Sequence, residues 1–285
     1  SVEVALNPDF SNVEADVAQV AVNSSFALFY PERRPFFIEG SDQFATRQNY
    51  VYTRSIANPL GLTKFTNQGQ KYRSYVLTGY DAASPYLVPG RNFSAYGTSG
   101  ANWSTVARVQ RRLPYSSGIG LLGTQRTYFE GGSGSLAAAD VNLRVSDALR
   151  FKAEVALSDT REAVANWITG GENFKGRTAA LDGERYQGMA MFAGLVRQSK
   201  HWTLRADVMG QSPMFRAEMG FEPQNDWMRY EAGASYNGFP NKKYIKTWGL
   251  YQEATQFRYF DGTLRQNHHL AWGWIQWGGN FRSSF

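Results

Sequence analysis

Residues 141–158 alternate apolar and polar side chains along most of their length. Val141, Leu143 and Val145 interleave with Asn142, Arg144 and Ser146; beyond Asp147-Ala148, Leu149, Phe151, Ala153, Val155 and Leu157 interleave with Arg150, Lys152, Glu154 and Ala156. Successive side chains of a strand point to opposite faces, so this pattern predicts a hairpin with one apolar and one charged face. Two architectures offer such a hairpin an apolar medium on one side only. In a soluble sandwich that medium is a second sheet; in an outer-membrane barrel it is lipid.

Composition narrows the choice. No window approaches the ~18–20 consecutive apolar residues of a membrane helix, and mean hydropathy is −0.45, which excludes a helical membrane protein. Aromatic residues make up 15% of the chain and are accompanied by 28 Gly, a pairing that suits strands, tight turns and interfacial girdles. The absence of Cys removes disulfides, zinc ribbons and thiol chemistry. A formal charge of +6 is spread thinly, with Arg33-Arg34, Arg111-Arg112 and Lys242-Lys243 as isolated dipeptides, so no nucleic-acid partner is expected. The opening residues lack the charged start and apolar core of a signal peptide. Val2, Val4 and Leu6 alternate as if the chain began inside a strand, and residue 1 is expected not to be the biological start.

Alternation and turn signals predict strands near 60–66, 71–80, 103–112, 118–129, 136–146, 149–158, 185–198, 201–210, 227–237, 244–259 and 264–277. Their links alternate short and long: 67–70 short, 81–102 long, 113–117 short, 130–135 intermediate, 147–148 short, 159–184 long, 198–200 short, 211–226 long and 238–243 fairly short. Short turns at one end and longer loops at the other are a property of bacterial membrane barrels; a Greek-key sandwich has no such requirement. The brief link at Asp261–Leu264 departs from the pattern. Strands of about ten residues, tilted ~40°, span roughly the 25 Å apolar band of such barrels, whereas soluble strands average about five or six. Tyr and Trp gather toward strand ends, at Tyr72, Tyr80, Trp103, Tyr128, Tyr186, Trp202, Trp227, Tyr236, Tyr244, Trp272 and Trp277, where interfacial girdles place them; aromatics also favour strands in general. The expected fold is therefore all-β: an antiparallel transmembrane β-barrel with at least ten strands visible, part of a larger barrel. Residues 1–59 read as the end of a strand plus an irregular, proline-bearing plug or cap-like insertion, and 60–285 as barrel wall with long external loops.

Two blocks in that first segment carry a family resemblance. Ala-Leu-Asn-Pro-Asp-Phe-Ser-Asn-Val-Glu-Ala-Asp (5–16) and Phe-Ala-Leu-Phe-Tyr-Pro-Glu-Arg-Arg-Pro-Phe-Phe-Ile-Glu-Gly (26–40) resemble the signature of a bacterial family. Its C-terminal domain is an outer-membrane β-barrel of unknown function, usually preceded by a family-9-like carbohydrate-binding module. Tyr52-Thr-Arg-Ser-Ile56 and Phe215-Arg-Ala-Glu-Met-Gly-Phe221 look like further landmarks of it. The resemblance implies a bacterial outer-membrane location, lipid as the surrounding partner, and glycans or other surface proteins as candidate partners. It implies no catalytic residues. The sequence departs from the family layout in lacking the carbohydrate module and in stopping before the family's barrel does, so it is expected to be a fragment.

The residues themselves offer little reaction chemistry, and neither cofactor nor metal is expected. His201, His268 and His269 lack the i, i+4 spacing of a helical zinc site. Gly131-Gly-Ser-Gly134 lacks the Lys of a phosphate loop. Glu14 with Asp16, and Asp182 with Glu184, are acidic pairs whose separation sequence cannot measure. With apolar residues toward lipid, the opposite register puts Arg108, Arg112, Arg144, Arg150, Lys152, Arg205 and Arg229 in the lumen with Glu154, Asp207 and Glu231. Such an excess of cations favours anions; the alternative is a filled interior in which these groups pair and conduct nothing. Tyr86, Phe93, Tyr96, Trp167 and Phe174 are loop aromatics available to glycans or partners, or to pack the loops. The functional expectation is an integral outer-membrane protein with a binding, anchoring or transport role tied to glycans. Its alternatives are a structural or interaction subunit of a surface assembly and, third, a polysaccharide-active enzyme.

Overall fold

The computed structural model describes residues 1–8, 26–165, 168, 173–174, 176–178, 180–279 and 281–285. Strands β1 (Val2–Leu6), β2 (Pro59–Gln68), β3 (Tyr72–Asp81), β4 (Ser84–Val88), β5 (Ala95–Ser99) and β6 (Asn102–Leu113) lead into β7 (Ser117–Tyr128), β8 (Ser133–Arg144) and β9 (Leu149–Arg161). The two-residue strands β10 (Asn173–Phe174) and β11 (Arg177–Thr178) precede β12 (Arg185–Gln198) and β13 (Trp202–Gln211). The remainder are β14 (Trp227–Gly238), β15 (Ile245–Arg258), β16 (Leu264–Trp277) and β17 (Arg282–Ser284). Every strand expected from alternation is present, with ends displaced by a few residues. Among the described residues, helical structure is confined to short turns such as α1 (Pro35–Ile38), and no helix of them is long and apolar enough to cross a membrane.

Thirteen strands form one antiparallel sheet in chain order, and β4–β5 and β10–β11 are separate small hairpins. The sheet is open, with β1 and β17 as its edges. β1 pairs with Gly61–Phe65 of β2, and β17 covers only Trp274–Gln276 of β16. Tight turns close one end of the sheet. At 114–117, for example, the Ser117 N–H donates to the Pro114 carbonyl at 3.2 Å across Tyr115 and Ser116, both with φ of 58°, the mirror-image turn that matches strand twist. The opposite end carries 82–101, 162–184 and 212–226, together with the much shorter 129–132 and 259–263.

One face of the sheet is packed and the other is bare. On the packed face, Phe37, Phe44, Tyr50 and Ile56 of the segment after β1, with Phe215 and Met219 of the β13–β14 loop, cluster against Leu62, Tyr75, Leu77, Val106, Leu122, Leu136, Ala138, Ala156 and Ala190. The strand residues are on alternate positions of each strand, as period two requires. Gly188 lets the β13–β14 loop touch the sheet: a Cβ there meets the Phe215 backbone at 2.3 Å. On the bare face stand Val2, Val4, Phe65, Val109, Ile119, Leu121, Val155, Leu157, Leu195 and Leu204, all exposed. This is more contiguous apolar surface than a water-facing sheet ordinarily shows.

The strand-end aromatics divide between the two faces. Tyr72, Tyr80, Trp103, Trp202 and Tyr236 fall on the bare face, whereas Tyr128, Tyr186, Trp227 and Trp272 fall on the packed face by register. Tyr72 and Tyr80 lie near opposite ends of β3, about 27 Å apart along the strand and roughly 21 Å apart along a ~40° tilt axis.

Candidate functional site

The packed face is lined with charged groups that hold the inserted segments in place. Lys64 is fully buried, 2.8 Å from Glu3, and its Nζ donates to the Phe36 carbonyl at 2.7 Å. Arg108, 1% exposed, pairs with Asp140 at 2.5 Å and donates through Nε to the Gln43 carbonyl at 3.2 Å. Arg126 donates to Ser104 Oγ at 2.9 Å, to the Ser55 carbonyl and hydroxyl at 3.0 Å each, and to the Glu218 carbonyl at 3.2 Å. Glu154 accepts the backbone N–H of Arg47 at 2.8 Å. Each buried charge meets polar atoms of an inserted segment or of a neighbouring strand, the condition under which burial is tolerated.

All ten charged residues expected in the lumen lie on this packed face. Asp140 opposes Glu154, Asn142 opposes Lys152 and Arg144 opposes Arg150, while Arg112 and Asn142 both oppose Gly118. Farther along the sheet, Gly194 opposes both Lys152 and Asp207, and Asp207 opposes Glu231. Their partners differ. Arg229 pairs with Asp207 at 2.9 Å, Arg205 with Glu231 at 3.1 Å and also with Glu253, and Arg144 with Asp147 of the adjoining turn at 2.9 Å. Arg112, Arg150 and Lys152 are exposed and have no ion pair among the described residues.

The long-loop end has its own polar centre. Arg216, 2% exposed, lies 2.7 Å from Glu218 and 3.8 Å from Glu162, and donates to the Tyr186 hydroxyl at 3.1 Å. Its guanidinium stacks 4.3 Å from the centre of the Tyr86 ring. Next to it, a cavity of about 280 Å³ is lined by Arg91, Asn92, Phe174, Tyr186, Asn225 and Asp226 among others. Of the loop aromatics, Tyr86 is only 2% exposed and packs on Tyr128, with ring centroids 5.4 Å apart. Phe93 is 40% exposed, Tyr96 is half-buried, Phe174 lines the cavity, and Trp167 lies outside the described residues. Glu14 and Asp16 also lie outside them.

Glu162, Asp182 and Glu184 bring carboxylate oxygens within 4.8 Å of one another, because the two arms of the 162–184 loop continue the β9–β12 ladder. Glu162 N–H donates to the Glu184 carbonyl and Ala165 N–H to the Leu181 carbonyl, both at 3.0 Å. His201 is engaged elsewhere, its Nδ1 2.8 Å from the Asn237 carbonyl. Burial pushes the Glu162 carboxyl up to about 7, with Arg216 opposing and Asp182 reinforcing. A glutamate in an unfolded chain loses its proton near pH 4.5, so the folded loop holds a proton that the unfolded chain has released. The associated stabilisation is complete below about pH 4.5 and is lost as pH rises to about 7. Hydrogen exchange at the Glu162 and Ala165 amides, corrected for intrinsic rate, is expected to be slower at pH 5 than at pH 7.5. Glu162→Gln should remove the difference; equal protection in the parent chain contradicts the assignment.

Sequence reasoning missed Lys64, Arg126, Arg216, Glu162 and Glu218. The first two sit on the parity of Leu62 and Leu122, so carrying the alternation through each strand finds them. Arg216 and Glu218 lie in the 215–221 block, where nothing local signals burial. The chain matches a family model described as a domain of unknown function, DUF5916, over residues 1–75. That stretch contains the 5–16 and 26–40 blocks and Tyr52–Ile56. No curated protein matches the chain, and no solved structure does.

Proposed function

We propose that this chain forms wall and interior filling of an outer-membrane β-barrel of bacteria, with a binding, anchoring or transport role at the cell surface. The observation that carries the reading is inverted polarity: the bare face is apolar and exposed, while buried Lys64, Arg108, Arg126 and Glu154 occupy the packed face. Water as the outer solvent favours the reverse arrangement, whereas hydrocarbon favours this one. The β2–β12 side of the packed face is occupied by residues 34–56 and 212–222, so the reading treats those residues as a plug. Ion pairs on β13–β15 favour a largely filled interior over an open anion pore. The exposed Phe93 and the cavity beside Phe174 support surface binding, with glycans as the ligand class implied by the family resemblance.

The test is solvent requirement. Purified protein is expected to need detergent, to insert into liposomes and to migrate anomalously on unheated SDS gels; a monodisperse species in plain buffer overturns the proposal. A second reading, a structural subunit of a larger surface assembly, is favoured by the unpaired edges of β1 and of the part of β16 that β17 leaves uncovered, which present free backbone donors and acceptors. Co-purification of a stoichiometric partner in mild detergent selects it, and a solitary stable barrel rejects it.

A further inference from the structure

Between the inserted segment and the short turns, the packed face carries a patch of uncompensated positive charge. We infer that this patch binds a soluble, multiply charged anion of the phosphate type. Arg112, Lys152 and Arg150 all face it, and Arg144 stands directly opposite Arg150, a like-charge pairing that destabilises a sheet unless something intervenes. Arg47 adds a fourth cation without an ion pair among the described residues: its guanidinium lies 5.3 Å from the centre of the Phe192 ring, one register step from Gly194 and Lys152.

The nearby carboxylates are committed elsewhere. Asp140 holds Arg108, Asp147 holds Arg144, Asp42 holds Arg73, Asp207 holds Arg229, and Glu154 accepts the backbone N–H of Arg47. Space for a ligand is present between the cations. Gly118 lies between Arg112 and Asn142 in register, and a Cβ placed on it meets only the Arg111 carbonyl, at 3.4 Å. Three strand spacings, about 14 Å, separate the Arg112 and Lys152 backbones, so their long side chains flank a bare floor. Guanidinium groups bind phosphate oxygens in pairs, and one polyanion there relieves the repulsion of several cations at once.

The inference deepens the barrel reading, in which this patch is one mouth of the interior, and its test is separable from that reading. Inorganic tripolyphosphate is titrated calorimetrically into the full chain in neutral detergent micelles. Saturable binding is expected, weakened by salt and weakened about tenfold or more in the double variant Arg150→Gln/Lys152→Gln. Arg197→Gln, on the bare face, should leave it unchanged. In the parent chain, tripolyphosphate should also protect Lys152 from acetylation by an amine-reactive ester, read by mass spectrometry, a result independent of any variant's folding. No binding, binding insensitive to the double variant, or an unprotected Lys152 overturns the inference. So does preference for a glutamate-rich peptide or for phosphatidylglycerol doped into the micelle. Failure of any of these with liposome insertion intact leaves the barrel reading standing.

Discussion

Arginine in place of Leu121 is expected to cost about 1–2 kcal/mol of folding stability in a bilayer, between the midplane and interfacial limits for a lipid-facing cation. Leu121 lies on the bare face, 64% exposed, with Val109 and Ala139 opposite it on the neighbouring strands. By register it lies two residues from the level of Tyr72 and six from that of Trp103, inside the apolar band on its Tyr72 side. In a sheet facing water, the same substitution at so exposed a site changes stability by no more than about 0.5 kcal/mol. Urea unfolding in liposomes, compared with the parent chain and with Leu121→Ala, separates the two environments. A Leu121→Arg variant as stable as its parent, or more soluble without detergent, removes the case for lipid on this face.

The second large effect lies beneath the inserted segment. Asp140→Ala leaves the Arg108 guanidinium buried without its carboxylate, and breaking a buried pair from one side costs about 3–5 kcal/mol. The geometry leaves little room for relief. Arg108 crosses the sheet over Gly120, where a Cβ would lie 2.5 Å from its Nη2, and its Nε is tied to Gln43. Replacing both partners, as in Arg108→Met/Asp140→Leu, is expected to recover most of the loss, because an apolar pair of similar volume has no charge to desolvate. The measurement is equilibrium unfolding of all three variants in one detergent. An Asp140→Ala cost below about 1 kcal/mol, or a double variant worse than the single, contradicts a buried and structurally coupled pair.

The strands were legible because their signal is local. Val141 to Leu157 alternates within a single hairpin, and the same period placed the other strands of the main sheet to within a few residues, except the short edge strand β17. The side to which each charged residue points was legible for the same reason: Arg108, Lys152, Asp207 and Glu231 follow from parity alone. The short links were readable too, since turns between antiparallel neighbours use few residues. What the pattern hid was how much of the charged face is covered. Tyr86 reads as a loop aromatic available to a ligand, yet it is buried under Arg216 and Tyr128, and Arg216 itself lies in a segment with no periodicity to interpret.

From the sequence alone one obtains, then, an all-β chain of long two-sided strands, because side-chain direction in a strand depends only on position along it. The tertiary structure decided which charges are paired and which are left over. Contacts such as Gln43 to Arg108, Ser55 to Arg126 and Glu218 to Arg126 depend on where the segment after β1 and the β13–β14 loop settle. It also decided that the thirteen strands form an open sheet with β1 and β17 at its edges. Those outcomes turn on packing between residues as far apart in the chain as Gln48 and Gln211, and no repeat of two or three residues encodes that.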